Sequence, residues 1–267
     1  MTRHILSLSA IPKRQNLATH AGYGGDTGPM GIHLLGGGRD VAACGSLLEA
    51  FVREARERAA GRALAIALLL VLEADDDASV DRFRGVLEAA GAASDEIRVH
   101  AILEGESFAD AVIEADGVFV GGGLTPAYLD AVRGIREVIR ERVAGGMPYA
   151  GFSAGAAIAA APALVGGYRV RGIEVVSADA GEELDAVEVR PGLGLLDFAV
   201  DVHAAQWGTL SRLVAAVDAR LVADGVAIDE HTALVISAQA APSVRGSGQV
   251  WRVESAASGV HVQLLRA

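Results

Sequence analysis

One pentapeptide in the 267-residue chain has the make-up of a nucleophile turn: Gly151-Phe152-Ser153-Ala154-Gly155, a G-x-S-x-G pattern. It ends a short apolar stretch that begins at Tyr149, and it opens an alanine-rich segment, Ala156 to Ala160, that reads as a helix. A nucleophile elbow needs that context, because small flanking residues permit the strained turn that lifts a serine hydroxyl out of the fold. The start of the helix would turn free N–H groups and the positive end of its dipole toward a developing oxyanion. A serine at its ordinary pKa also needs a base within hydrogen-bond reach. Seven histidines are available, and His203 is the candidate. It ends an apolar strand after the nucleophile and precedes the loop Gln206-Trp207-Gly208, where open α/β sheets carry their site residues. His4 and His20 fall in the N-terminal stretch, His33 and His100 in early strands, and His231 and His261 in late β segments. Gly121-Gly122-Gly123 ends another strand and presents bare N–H groups suited to an oxyanion or a carboxylate. It lacks the lysine of a phosphate-binding P-loop. Lys13 is the only lysine and lies in an irregular segment, which leaves almost no room for a Ser–Lys dyad or a Schiff base.

The elements that must position these residues alternate between strand and helix. Residues 1–30 form an irregular lead-in punctuated by Gly22, Gly24, Gly25 and Gly28. Strands are then expected at 32–35, 64–72, 97–103, 117–120, 149–152 and 199–203, with helices at 44–60, 79–90, 107–115 and 209–223 between or after them. The clearest helix starts at Thr125-Pro126 and runs unbroken to Gly145-Gly146. Tyr128, Val132, Ile135, Ile139 and Val143 form its apolar stripe. Residues 164–190 carry many acids between short β-like pieces, and the chain from Val226 onward reads as β-hairpins. This order predicts one α/β domain over 1–267: a three-layer, mostly parallel sheet with helices on both faces and C-terminal β-hairpins.

Composition narrows the function. Hydrophobic residues make up 51% and charged residues 21%, as in an ordinary globular domain. A net charge of −11 disfavours nucleic acid and anionic membrane, both of which need a positive surface. The most apolar run, Leu64 to Leu72, is too short to cross a bilayer core of about 30 Å as a helix. Cys44 is the sole cysteine, so an intrachain disulfide is impossible, and a cytoplasmic location is expected. Homodimers are the commonest soluble assembly, and one is expected here.

Five blocks occur in an order that resembles the cyanophycinase and aspartyl dipeptidase (peptidase E) family of serine peptidases. They are Gly121 to Thr125, Gly151 to Ala156, Gly192-Leu193-Gly194-Leu195, Val200-Asp201-Val202-His203 and Ile228-Asp229-Glu230-His231-Thr232-Ala233. The resemblance spans roughly residues 32–237. It implies the fold of class I glutamine amidotransferases with serine in place of cysteine, and a Ser–His–acid site. Gly122, Gly123 and Ala154 would form the oxyanion hole, without metal or cofactor. In cyanophycinase a glutamate follows a Gly-Gly pair after the nucleophile. Gly166-Gly167 followed by Glu174 therefore makes Glu174 the expected third member. Asp179 and Glu182 stand behind it, and Asp201 is a further option on the strand face of His203.

Leu124 stands where the dipeptidase-like motif has asparagine, and the stretch after His203 lacks the family's arginine. Asp-X dipeptides and cyanophycin fragments are therefore expected to be poor substrates, with an uncharged or aromatic residue preferred. Arg169 and Arg171 are the residues that could restore a positive charge. The chain reads as a serine peptidase-like hydrolase acting on a small peptide or amide. The alternatives are an esterase on the same elbow and a binding protein that kept the fold without turnover.

Overall fold

The computed structural model describes residues 31–74, 76–109, 114–237 and 240–266. The expected lead-in, with His4, Lys13 and His20, lies outside the described residues, as does part of the helix expected at 107–115.

The first half alternates β1 (Ile32–Leu35), α1 (Val41–Ala59), β2 (Ile66–Leu72), α2 (Asp77–Ala89), β3 (Ile97–Leu103) and β4 (Gly117–Val120). Then come α3 (Thr125–Ala131), α4 (Arg136–Ala144), β5 (Tyr149–Phe152) and the single turn α5 (Ala154–Ala157). Short strands follow: β6 (Pro162–Gly166), β7 (Arg169–Val170), β8 (Ile173–Glu174), β9 (Glu188–Pro191) and β10 (Ala199–Val202). The chain ends with α6 (Leu210–Asp218), β11 (Asp224–Ile228), β12 (Thr232–Ile236), β13 (Ser243–Gly246), β14 (Val250–Ser255) and β15 (Val260–Leu265).

Seven strands form the central sheet in the order β13-β12-β1-β5-β4-β2-β3. The five from β1 to β3 are parallel, and β12 and β13 extend the β1 edge antiparallel. One face packs Leu35, Leu68, Leu70 and Phe119 against Leu48 and Phe51 of α1 and Phe83 of α2. The other packs Leu34, Leu69, Val120 and Tyr149 against α3, α4 and α5. Each fully buried Leu or Phe in these layers stabilises the fold by roughly 1.5–3 kcal/mol. A second sheet, β10-β11-β14-β15, packs against α6. The three-layer architecture expected from the sequence is the one observed.

Three local expectations change. The helix expected from Thr125 to Gly145 is broken into α3, a 3-10 turn at Arg133–Ile135, and α4. Phe108 N–H takes the Ala131 carbonyl, so Ile135 N–H bonds back to Val132, and Gly134 offers little helical preference at that point. The apolar stripe stays buried throughout. The alanine-rich helix after Ser153 is one turn long. The C-terminal strands are not all hairpins, because β11 joins the second sheet while β12 joins the central one.

Candidate active site

Ser153 sits between β5 and α5 with φ 52 and ψ −111, a conformation an L-residue holds only when its surroundings dictate it. Its N–H is bound to the Leu35 carbonyl at 2.9 Å. The flanking glycines are there for space: a Cβ on Gly151 would lie 2.4 Å from the Gly155 carbonyl oxygen, and one on Gly155 2.3 Å from that of Val120. The Tyr149 hydroxyl donates to the Gly155 carbonyl at 2.6 Å, and Gly155 N–H donates to that of Gly121 at 3.0 Å. The elbow is thus tied to β1, β4 and β5 at once.

His203 follows β10 and also has a positive φ, 56, so it leaves the strand's alternation. Its N–H bonds to the Gly36 carbonyl, and Gly37 lies so close that a Cβ there would come within 2.2 Å of the ring. Nε2 lies 2.8 Å from Ser153 Oγ, and Nδ1 lies 2.8 Å from Glu230 Oε1. A carboxylate only accepts, so Nδ1 carries the proton and Nε2 is left to accept from the serine hydroxyl. Burial pushes the His203 pKa below its ordinary value against the opposing pull of Glu230. The ring is therefore favoured in its neutral, basic form.

Glu230 arrives by topology. β10 and β11 are parallel neighbours with Val202 opposite Ile228, so the residues just beyond both strands meet at one end of the second sheet. The loop is fixed by its own residues. Glu230 N–H donates to Gln206 Oε1, and buried Asp229 accepts from the N–H groups of Ala205 and Gln249. His231 Nε2 accepts from Asp40 N–H at 3.2 Å, and its own N–H donates to the Gly37 carbonyl.

The structure brings Ser153 and His203 together as expected and puts Glu230, not Glu174, on Nδ1. Glu174 is exposed on the two-residue strand β8, opposite Arg169. Asp201 points to Arg212 and forms a buried two-point ion pair with it at 2.6 and 2.9 Å. Asp179 and Glu182 line the cleft without bonding His203, and Glu182 accepts the N–H of Thr125 at the start of α3. Burial raises the pKa of Glu182. Arg169 pairs with Asp185 and Arg171 reaches the Ala219 carbonyl, so neither lines the cleft.

The cleft itself is about 540 Å³ and opens over Ser153. Gly122 and Gly123 form part of its wall, and a Cβ on Gly122 would sit 2.9 Å from that of Ser153. The N–H groups of Gly122, Gly123 and Ala154 meet no acceptor among the described residues. Since α5 is a single turn, these N–H groups, rather than a long helix dipole, are the donors available to an oxyanion at Ser153. Leu124 and Trp207 line the cleft, and so do Arg39 and Arg82, which pattern reasoning did not single out. Arg82 is anchored on the Gly38 carbonyl at 2.6 Å and lies over the Phe152 ring. No group of three or more metal-ligating side chains occurs among the described residues.

The family model of peptidase family S51 matches residues 67–244. The chain is 43% identical over 89 residues to Peptidase E of Streptomyces coelicolor, a match covering 33% of this chain and 35% of that protein. It is 30% identical over 184 residues to Cyanophycinase of a Nostoc species, covering 65% of this chain and 57% of that one. The matched segments thus span between a third and three-fifths of these relatives' own lengths. The crystal structure of a peptidase from an acI-B1 actinobacterium superposes with a TM-score of 0.63 at 18% identity, over 90% of this chain and 96% of that one. That likeness establishes the shared fold, and the family model, which reaches from β2 to β13 across both the elbow and the Glu230 loop, establishes more: this chain belongs to peptidase family S51.

Proposed function

We propose that this chain is a serine-type peptidase that hydrolyses a small peptide or amide bond through Ser153, His203 and Glu230. The observation that carries the proposal is the continuous run of two 2.8 Å hydrogen bonds from serine hydroxyl to imidazole to carboxylate. Family membership supports the same chemistry. Ser153 Oγ attacks the carbonyl carbon while its proton passes to His203 Nε2. The carbonyl electron pair moves onto oxygen, where the N–H groups of Gly122, Gly123 and Ala154 receive it. Loss of one such donor typically costs about 10²- to 10³-fold in rate. Collapse of the intermediate breaks the C–N bond, and Nε2 returns the proton to the departing amine. Water then repeats the sequence on the acyl-serine.

Specificity follows from what lines the cleft. Leu124 and Trp207 line it, and Arg39 and Arg82, rather than Arg169 and Arg171, are the cationic residues beside them. The carboxylates of Glu73, Asp179, Glu182, Glu183 and Glu230 outnumber these two guanidinium groups in the cleft lining, so poor turnover of Asp-X dipeptides and cyanophycin fragments, with uncharged or aromatic residues preferred, stays part of the proposal. A cytoplasmic homodimer belongs to the same proposal, and sedimentation of the pure protein checks the dimer.

The test is covalent labelling. A fluorophosphonate probe should modify Ser153, located by peptide mass spectrometry, and a dipeptide and acyl-ester library should then reveal turnover. A protein that stays unlabelled while folded would support a binding role instead.

A further inference from the structure

Trp207 is 46% exposed, so burial alone does not account for where its ring lies. The ring is nevertheless stacked face to face on His203, with centroids 3.9 Å apart and planes 8° from parallel. The backbone sets this up: Trp207 N–H donates to the His203 carbonyl at 2.9 Å, closing one turn. That turn brings side chains four residues apart onto one face. We propose that Trp207 is a positioning residue for hydrolysis. Its face holds the His203 imidazole in line with Ser153 and Glu230 and stabilises the imidazolium formed when the serine proton arrives. The proposal rests on the serine-peptidase assignment above.

Two hydrogen bonds pin the ring along its Nδ1–Nε2 line but leave rotation about that line open, and a flat aromatic contact removes that freedom. The face of an indole carries negative potential, so it attracts a cation above it, and more strongly where water is excluded. His203 needs this help. Burial disfavours its charge and Arg212 on α6 repels it, while Glu230 and Asp201 favour it. Ser153 and Gly37, which also lie against the ring, are neutral, and Arg39, Arg82, Asp179, Glu182 and Glu183 line the same cleft. Trp207 adds a contribution from a direction in which no carboxylate bonds the ring.

Two substitutions separate the face from mere cover. Trp207→Phe keeps an aromatic face, whereas Trp207→Leu keeps apolar cover without one, and an exposed position tolerates both. The first readout is the second-order rate of fluorophosphonate labelling against pH. In that step the Ser153 Oγ–P bond forms, the P–F bond breaks, fluoride leaves and the proton goes to His203. Trp207→Phe should label within about twofold of the parent, and Trp207→Leu about threefold slower or worse, from the loss of a cation–π contact. The acid limb of the Leu variant should also move to lower pH, because the imidazolium has lost support. The second readout needs no catalysis: indole emission from about pH 8 to pH 5 in a Ser153→Ala, Trp251→Phe background. A protonated imidazole quenches a stacked indole, so emission should fall in one step centred below pH 6.5, the ordinary histidine value. Labelling of Trp207→Leu at the parent rate with an unmoved acid limb, or a flat emission profile, would overturn the proposal. If the parent protein is never labelled, the serine mechanism fails by itself, and the emission titration still decides whether Trp207 senses His203.

Discussion

A carboxylate on the far nitrogen of an imidazole fixes its tautomer, orients its ring and stabilises its charged form in the transition state. Glu230 is placed to do all three for His203, at 2.8 Å and largely screened from water. Glu230→Gln keeps the side chain's shape but can present an amide donor to Nδ1, favouring the wrong tautomer. It should lower kcat by about 10³- to 10⁴-fold. Glu174→Ala, on an exposed strand, should leave kcat and KM at the parent values. Equal losses from the two would contradict the assignment. The pH dependence follows from the same ring. His203 must be neutral to accept the serine proton, and burial lowers its pKa from 6.5. The acid limb of kcat/KM should therefore lie below pH 6.5, with activity rising through it as pH increases and flat above. At the cleft wall, Arg82→Leu should reduce kcat/KM for Asp-Leu more than for a neutral dipeptide, and equal effects would remove Arg82 from substrate recognition. The serine and histidine were legible because each ends an apolar strand and precedes a glycine-containing turn or loop. The acid was not, although Glu230 stood inside a recognised block, because only the pairing of β10 with β11 shows which carboxylate arrives beside the histidine.

At the scale of elements, the central parallel strands β2, β4 and β5 could be read from their continuous apolar runs, since strands buried on both faces have no polar alternation, whereas the edge strand β3 alternates Ile97, Val99 and Ala101 with Arg98 and His100. β1, β3, β4 and β5 fall where the sequence put them. The break between α3 and α4 was hidden because the apolar stripe continues through it, and the cause is the capture of the Ala131 carbonyl by a distant loop residue, Phe108. The short strands β6, β9 and β13 are only four or five residues long, and no period in them is long enough to register. The loop after β1 carries the more consequential detail. Gly37 has φ 112 and abuts His203. Gly37→Ala should both strain the backbone and push the ring off Ser153. We expect kcat to fall by more than about tenfold, with a melting-temperature loss of a few degrees from the backbone strain. Parent-like turnover in this variant would mean that the loop does not hold the base.

Across the whole molecule, the site is a meeting of two sheets. In the proposed mechanism the central sheet carries the nucleophile and the glycine turn, the second sheet carries the base and its acid, and their relative position would set the reaction geometry. Asp201 and Arg212 lie at this junction, both buried, with Arg212 also donating to the Ala180 carbonyl of the acidic stretch that lines the cleft. Arg212→Met would leave an unpaired buried carboxylate and should destabilise the fold by about 3–5 kcal/mol, with much of the loss recovered by adding Asp201→Leu. Thermal melts of the single and double variants check this. In the proposed reaction every bond broken passes through an acyl-enzyme on Ser153. The most direct measurement is kcat/KM of Ser153→Ala beside its melting temperature, on the best peptide from a library. The predicted result is a rate loss of about 10⁴- to 10⁶-fold with an essentially unchanged melting temperature. Retained turnover in the pure, folded variant would contradict it.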